Sequence, residues 1–167
     1  MALNSLTAVK SLMARVQNAA PEIEEKLAEY GAEDARLRFA AARYAGTNDV
    51  TVSVGESEGH AAVVAQGDAV AFIEFGAGVR HGKGYPGERP KDIVDIGKYG
   101  QGKGASGRPW VYRGEQGSAG WQVRKKNGDP IEGLSMTYGN PPNAPMYHAA
   151  NRMREEAGAV AKEVLAR

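Results

Sequence analysis

Glycine is distributed unevenly along this 167-residue chain, and its distribution limits the core that the chain can build. Residues 76–143 hold 16 of the 22 glycines, and only eight of these 68 residues are Leu, Ile, Val or Phe. Glycine loses more conformational freedom on folding than any other residue, so such a segment cannot form a core of its own. The sequence predicts a single domain, residues 1–167, in which 76–143 is an extended glycine-rich loop and hairpin insertion.

The rest of the chain also has few large apolar side chains. The hydrophobic fraction is 42%, but 27 of those residues are alanine, and Leu, Ile, Val and Phe total only 29. That share lies below the roughly 20% that signals disorder when the net charge is high. Because the net charge here is +1, we expect a folded chain that gains stability by burying surface against other subunits. An ordinary alanine-rich helical domain with one long loop is the alternative.

The charges are segregated, although their sum is close to zero. Residues 76–143 carry 11 basic and 6 acidic side chains, so a basic insertion sits on an acidic body. The absence of cysteine excludes a disulfide, a thiolate zinc site and a cysteine nucleophile. No apolar run approaches the ~18 residues of a membrane span, and the N-terminus has no signal-peptide pattern. We therefore expect a soluble protein of a reducing compartment, without a membrane partner.

The first part of the chain has apolar residues at helical spacing. They are Leu6, Val9, Met13, Val16, Ile23, Leu27, Tyr30, Leu37, Ala41 and Tyr44. Pro21 either interrupts this helix or begins the next one, and Gly46 is a plausible C-cap residue. The stripe is expected to pack on a sheet or on a partner helix.

Two strands and a short third element follow. Valine alternates with Thr and Ser over residues 50–54, and residues 60–66 are the expected antiparallel partner strand. Asp68 is placed to cap a short helix over residues 69–75, although five apolar residues in a row fit a strand equally well.

The end of the chain predicts one more helix. Asn143 is a good N-cap, Pro145 suits the first turn, and an apolar stripe continues to Leu165. Arg152 and Glu156 form an i,i+4 pair on the opposite side. The fold class is therefore predicted to be α+β, with long N-terminal helices, a small antiparallel sheet, the insertion with its β-hairpin, and a C-terminal helix.

The insertion contains two short aromatic strands, around residues 110–112 and 121–123, which we expect a turn over 114–120 to join as a hairpin. A second turn is built on Asn-Gly at 127–128. The two tryptophans pack either on each other or against a neighbouring chain. Seven basic residues give the insertion the character of a basic arm: Lys98, Lys103, Arg108, Arg113, Arg124, Lys125 and Lys126.

Basic side chains interleaved with aromatics suit nucleic acid, since the cations contact phosphates and the rings stack on bases. A nucleic-acid-binding accessory protein that uses residues 98–126 is therefore the alternative function. The plainer interpretation is that a glycine-rich loop carries charge for solubility.

The sequence shows no catalytic constellation, and we predict a non-enzymatic protein without a cofactor or a metal. Residues 97–104 approach a phosphate-binding loop, but Gly104 replaces the required hydroxyl residue and Pro109 prevents the helix that must follow. The three histidines lie far apart in sequence. No second acid lies at a spacing from Glu74 that suits a catalytic pair of carboxylates. We therefore expect Glu74 to be a buried or interface carboxylate that accepts backbone N–H bonds.

Three short motifs, in this order, resemble a tailed-phage family. The run A-V-A-F-I-E-F-G at 69–76 resembles the family hallmark, W-V-Y and G-W at 110–112 and 120–121 resemble its insert, and A-P-M-Y-H-A at 144–149 resembles the motif that opens its C-terminal helix. Over about residues 1–165 the chain is similar to the neck and tail-completion proteins of siphophages, which are putative tail components similar to lambda-type minor tail proteins.

Three positions depart from the family pattern. Ala77 stands where threonine is usual, Met146 replaces a phenylalanine, and His148 replaces the second proline. These departures keep the apolar anchors but leave open the subfamily, and with it the joint of the particle that the protein occupies.

The resemblance implies a virion structural protein at the head–tail junction, present in the host cytoplasm during assembly. Its implied partners are copies of itself in a ring, commonly a hexamer, together with head-connector and tail-terminator or tail-tube proteins. Non-specific contact with DNA in the channel is also implied, and the basic arm faces either that DNA or a neighbouring subunit. The implied assembly residues are Phe72, Glu74, Phe75, Gly76, Trp110, Tyr112, Trp121, Pro145 and Met146.

Overall fold

The computed structural model describes residues 2–78, 80, 84–88, 90 and 107–167. The chain forms helix α1 (Ala2–Ala40), strands β1 (Thr51–Ser57) and β2 (His60–Gln66), helix α2 (Val70–Phe75), strands β3 (Trp110–Arg113), β4 (Gly120–Arg124) and β5 (Pro130–Thr137), and helix α3 (Pro145–Leu165). The predicted α+β class, with a long N-terminal helix, small antiparallel sheets and a C-terminal helix, is confirmed.

Helix α1 is one unbroken element of 39 residues, with Pro21 inside it. The helix ends at Ala40, where the Asn48 side-chain amide donates to the carbonyl of Phe39 at 2.8 Å. This bond satisfies one of the carbonyls that a helix end leaves free. Gly46, with a φ of 133°, lies in the following loop, so its predicted role as the C-cap is wrong.

The buried face of α1 carries alanines and Phe39, whereas several other large apolar side chains of the helix are exposed. Ala28, Ala32, Ala35 and Phe39 are buried, whereas Leu37 is 65% exposed. Small side chains let the backbone of a neighbouring element approach closely, so the alanine face offers denser packing to the β1–β2 hairpin and α3. The predicted stripe therefore points only partly at the core.

The remaining core residues come from elements far apart in sequence. Ala35 and Phe39 of α1 pack with Ala69, Ile73 of α2 and Ala149 of α3 in one cluster. Strands β1 and β2 pair antiparallel from Thr51–Gln66 to Ser57–His60, as predicted, and partly buried valines of this hairpin pack against the cluster.

The segment that fitted either a helix or a strand is helix α2, which has no side-chain cap, and Asp49 holds the turn that leads into it. The Asp49 carboxylate accepts hydrogen bonds from the backbone N–H groups of Asp68 and Ala69 at 2.8 and 2.9 Å. The prediction that Asp68 caps this helix is therefore wrong, because the acceptor comes from the loop before β1. These two bonds lower the pKa of Asp49.

The strands of the insertion form a three-stranded sheet in the order β3-β5-β4. Both β3 and β4 pair antiparallel with β5, so the turn over 114–120 does not close a hairpin between them, and that prediction is wrong. With eight residues, β5 is long enough to pair on both edges. The second predicted turn is confirmed, because it joins β4 to β5 and Gly128 N–H donates to the Lys125 carbonyl at 3.0 Å.

Helix α3 runs antiparallel along α1 and is shorter. Lys26 pairs with Glu163 at 2.7 Å, and the Arg15 guanidinium donates to the carbonyl of Leu165 at 2.7 Å. The first turns of α1 therefore extend past the end of α3. The predicted Arg152–Glu156 pair is present at 2.7 Å. Within the described ranges, neither long helix is apolar enough to cross a membrane.

We predict that Phe39→Ala lowers the free energy of unfolding by about 3–5 kcal/mol, because it leaves a cavity in the core. Leu37→Ala, two residues away on the exposed side, should change it by less than about 0.5 kcal/mol. Urea unfolding followed by circular dichroism compares the two variants. Equal losses would show that the core lies on the other face of α1.

Asp49→Asn should lower stability near neutral pH, and the loss should shrink as the pH falls. A carboxyl whose pKa is lowered by folding contributes stability above its unfolded pKa, and this contribution is lost as the pH falls through the folded pKa. Urea unfolding between about pH 7 and pH 3 measures this difference. Asp68→Asn is the matched control and should leave stability unchanged. An equal effect of both variants would contradict the role of the Asp49 carboxylate as the acceptor in this turn.

Candidate functional site

The Glu74 carboxylate joins two of the three motifs at the start of α3. It is only 3% exposed, and it accepts hydrogen bonds from the N–H groups of Met146 at 2.8 Å and Tyr147 at 3.1 Å. A third donor is the hydroxyl of Tyr85, at 2.9 Å. The prediction of a buried carboxylate that accepts backbone N–H bonds is confirmed. A negative charge here also complements the positive end of the helix dipole.

Asn143 has a different role from the one its position predicts. The residue before α3 is Ala144, in a left-handed conformation without a side-chain cap, so Asn143 is not the N-cap. Its side-chain oxygen accepts from Arg43 N–H at 2.9 Å, and its amide donates to the carbonyls of Arg43 and Pro141, each at 3.1 Å. Asn143 therefore ties the loop after α1 to the start of α3, and Glu74 supplies the acceptor that the helix needs.

Gly76 lets the two segments approach each other at close range. Its φ is 75°, and a Cβ there would lie 2.7 Å from Pro142 N and 2.8 Å from the Asn140 carbonyl oxygen. The neighbouring Ala77 forms a β-bridge with Asn140. Both the conformation and the contact require glycine, because neither neighbouring atom belongs to a movable side chain.

An aromatic cluster covers this junction on one side. The rings of Phe75 and Tyr85 have centroids 4.8 Å apart, and those of Tyr85 and Tyr147 are 6.0 Å apart. Pro145 is fully buried, and Met146 packs against the core cluster. Tyr85 was not among the predicted site residues, because nothing near it in sequence indicates that its hydroxyl reaches Glu74.

The other aromatic residues of the predicted site lie on two faces of the β3-β5-β4 sheet. Trp110 and Tyr112 face the body, where with Phe72 they line a cavity of about 200 Å³. Burial raises the pKa of Tyr112, and its hydroxyl donates to the carbonyl of Glu115 at 2.8 Å.

Trp121 lies on the opposite face of this sheet. It is 39% exposed, and its ring centroid is 5.2 Å from that of Tyr138. The two tryptophans pair with adjacent residues of β5, Trp110 with Thr137 and Trp121 with Met136. Adjacent strand residues point to opposite faces, so the tryptophans do not pack on each other.

The basic residues of the insertion separate into groups. Lys98 and Lys103 lie outside the described residues. The exposed side chains of Arg113, Arg124, Lys125 and Lys126 gather at one end of the sheet, and Arg108 precedes the other end. Acidic residues interrupt the first group: they are Glu115, Asp129 and Glu132.

In its described part, the insertion is a sheet docked on the body and not a free arm. The N–H of Ala119 donates to the carbonyl of Tyr44 at 3.1 Å, and the Tyr44 N–H donates to the Ser118 hydroxyl at 3.1 Å. A Cβ on Gly117 would overlap the Tyr44 carbonyl oxygen, so the turn lies directly on the loop after α1.

The groups assembled around Glu74 hold α2, the start of the insertion and α3 together. Across the described ranges, every buried side-chain nitrogen and oxygen atom has a hydrogen-bond partner, and no three His, Asp or Glu side chains gather as a metal site. Comparisons of the chain with protein-family models, curated proteins and solved structures find no match. Function therefore has to be inferred from the surfaces of the chain itself.

Among the described residues, apolar side chains are exposed on two surfaces besides the α1–α3 groove that Tyr30 and Leu37 line. The first is the α1 overhang, residues 6–16, where Leu6 and Met13 are each 57% exposed. The second is the outer face of the β3-β5-β4 sheet, where Val111 and Trp121 are exposed. Sequence periodicity identified the residues of the overhang as helical but did not show that the described part of the chain leaves them exposed.

We predict that Glu74→Gln lowers the free energy of unfolding by about 2 kcal/mol, because it replaces a charged acceptor of three buried donors. Tyr85→Phe removes one donor and should cost about 1 kcal/mol. Chemical denaturation measures both, with the exposed Glu25→Gln as the control that should have no effect. A stable Glu74→Gln protein would show that the carboxylate does not hold the two motifs together.

Proposed function

We propose that this protein is a virion structural protein, a subunit of the neck or tail-completion ring that joins the phage head connector to the tail tube. The observation that carries the proposal is the uncovered apolar stripe of the α1 overhang. Contiguous exposed apolar surface on a folded chain is typical of a protein–protein interface. The proposed function is therefore assembly and not catalysis.

The second uncovered surface supports a ring in particular. The overhang belongs to α1 and the outer face to the β3-β5-β4 sheet, so the two surfaces are formed by different residues. Contacts between two different surfaces are heterologous, and they generate closed rings when the rotation between copies closes. A self-complementary dimer would need only one such surface.

The Glu74 junction supports an architectural role in a different way. Its carboxylate accepts three hydrogen bonds from within the chain, two of them from backbone N–H groups, which suits a fixed structural acceptor. The two resembling motifs thereby fix the position of α3 relative to α2. A rigid subunit presents its surfaces at a defined angle, as ring closure requires.

The four basic residues at one end of the sheet favour a second candidate, a nucleic-acid-binding accessory protein. Cations of this kind attract the phosphate backbone without reading its sequence, and such binding weakens steeply as salt is added. The interleaved acids Glu115, Asp129 and Glu132 reduce this attraction, so we place the function in assembly.

We predict that the protein forms rings in solution or when mixed with connector-bearing heads and tail tubes of the phage that encodes it. Native mass spectrometry and negative-stain imaging, with and without these partners, measure the assembly. Lys125→Gln/Lys126→Gln is the matched variant, since it should weaken DNA binding without preventing rings. A protein that stays monomeric with both partners but binds DNA in a salt-dependent way would favour the second candidate.

A further inference from the structure

The apolar seam between α1 and α3 continues beyond the end of α3. Along α1, Val9, Met13 and Val16 precede Ile23 and Leu27 at spacings of three, four and seven residues, which keep them on one stripe. Ile23 and Leu27 are partly buried, whereas the three earlier residues are exposed. Because α3 ends at Leu165, beside Arg15, none of the described helices covers the first turns of the stripe.

The overhang combines this apolar stripe with positive charge. The two charged side chains among its residues are Lys10 and Arg15, and no acid occurs before Glu22. The Arg15 guanidinium is already bonded to the Leu165 carbonyl at 2.7 Å. Lys10 is therefore the cation that the overhang offers to a partner.

A groove of complementary character lies at the other end of the same helix. The α1–α3 groove encloses about 490 Å³, and its lining includes Tyr30, Leu37, Glu33 and Glu155. Two arginines also line it, but each is held in an ion pair, Arg38 with Asp34 and Arg152 with Glu156. Both Tyr30 and Leu37 are exposed apolar side chains. Glu33 and Glu155 are exposed acids that form no ion pair in the described structure, in contrast to Asp34, which pairs with Arg38.

The overhang of a chain cannot reach the groove of the same chain. Met13 and Leu37 are 24 residues apart on one continuous helix, which places them ~36 Å apart along its axis. A second copy of this chain, by contrast, can bring a helix with the required apolar and basic side chains to the groove.

We propose that the α1 overhang of one copy docks in the α1–α3 groove of a neighbouring copy, head to tail. Leu6, Val9 and Met13 cover Tyr30 and Leu37 of the neighbour, and Lys10 faces its Glu33 and Glu155. The inference rests on the proposed function and supplies the contact between subunits of the ring. Because donor and acceptor surfaces differ, each copy uses both, and association continues until the ring closes.

The first experiment breaks each side of the contact. Val9→Asp/Met13→Asp should weaken self-association by at least about 100-fold, since two buried apolar side chains are lost from the interface. Ser11→Asp/Asn18→Asp adds the same charge on the opposite side of the overhang and should change association by less than about threefold. Sedimentation velocity measures association, and circular dichroism verifies that each variant is folded.

The second experiment tests the head-to-tail geometry. Tyr30→Asp/Leu37→Asp should also be monomeric, yet an equimolar mixture with Val9→Asp/Met13→Asp should form a one-to-one dimer, because one intact overhang still meets one intact groove. Self-association of Tyr30→Asp/Leu37→Asp alone would show that overhangs pair with each other, and would overturn the proposal.

The third experiment identifies the contact directly. Because the chain has no cysteine, Val9→Cys on one tagged copy and Leu37→Cys on another should give the mixed disulfide-linked dimer under mild oxidation. Ser11→Cys in place of Val9→Cys is the matched control and should cross-link at background level. Equal yields for the two would overturn the proposal.

Failure of this inference is distinguishable from failure of the proposed function. A wild-type protein that stays monomeric at the highest concentration reached, but still joins heads to tails, overturns the overhang–groove contact and leaves the ring function standing. Rings that persist in the Val9→Asp/Met13→Asp variant would likewise overturn the overhang–groove contact and leave the ring function standing. A protein that stays monomeric and does not join heads to tails would overturn both the overhang–groove contact and the proposed function.

Discussion

The buried Glu74 carboxylate is the interaction on which the rest of this structure depends. A buried charge is tolerated only when hydrogen bonds replace the water it has lost. Here the donors come from Tyr85 and from the first turn of α3, so α2, the start of the insertion and α3 must all be in place together. The close approach at Gly76 and the Asn143 bonds hold the same segments from either side.

The abundance of alanine explains both the small core and the uncovered surface. Alanines at positions 28, 32 and 35 let α1 lie close to its neighbours, and together with Phe39 they form the buried face of the helix. The larger residues Tyr30 and Leu37 are consequently left outside. A chain built in this way has apolar side chains available for other subunits, which agrees with the proposed role in assembly.

The insertion shows how a segment with few apolar residues becomes ordered. Strand β5 pairs with both β3 and β4, and the turn before β4 is hydrogen-bonded to the loop after α1. Backbone hydrogen bonds, together with Trp110 and Tyr112 on the inner face, supply the stability that the insertion cannot gain from a core of its own. The two predicted strands are present, but each pairs with β5, whereas the sequence predicted that they pair with each other.

The sequence by itself determined the elements that depend on near neighbours: the helical stripe of α1, the β1–β2 hairpin, the Asn-Gly turn and the Arg152–Glu156 pair. Periodicity, turn chemistry and i,i+4 contacts act over a few residues, so they can be read without the fold. Tertiary structure alone decided that α1 buries its alanine face, that Asp49 holds the turn before α2, and that Tyr85 reaches Glu74. Each of these depends on groups distant in sequence, whose meeting is set by how the whole chain packs and not by any local pattern.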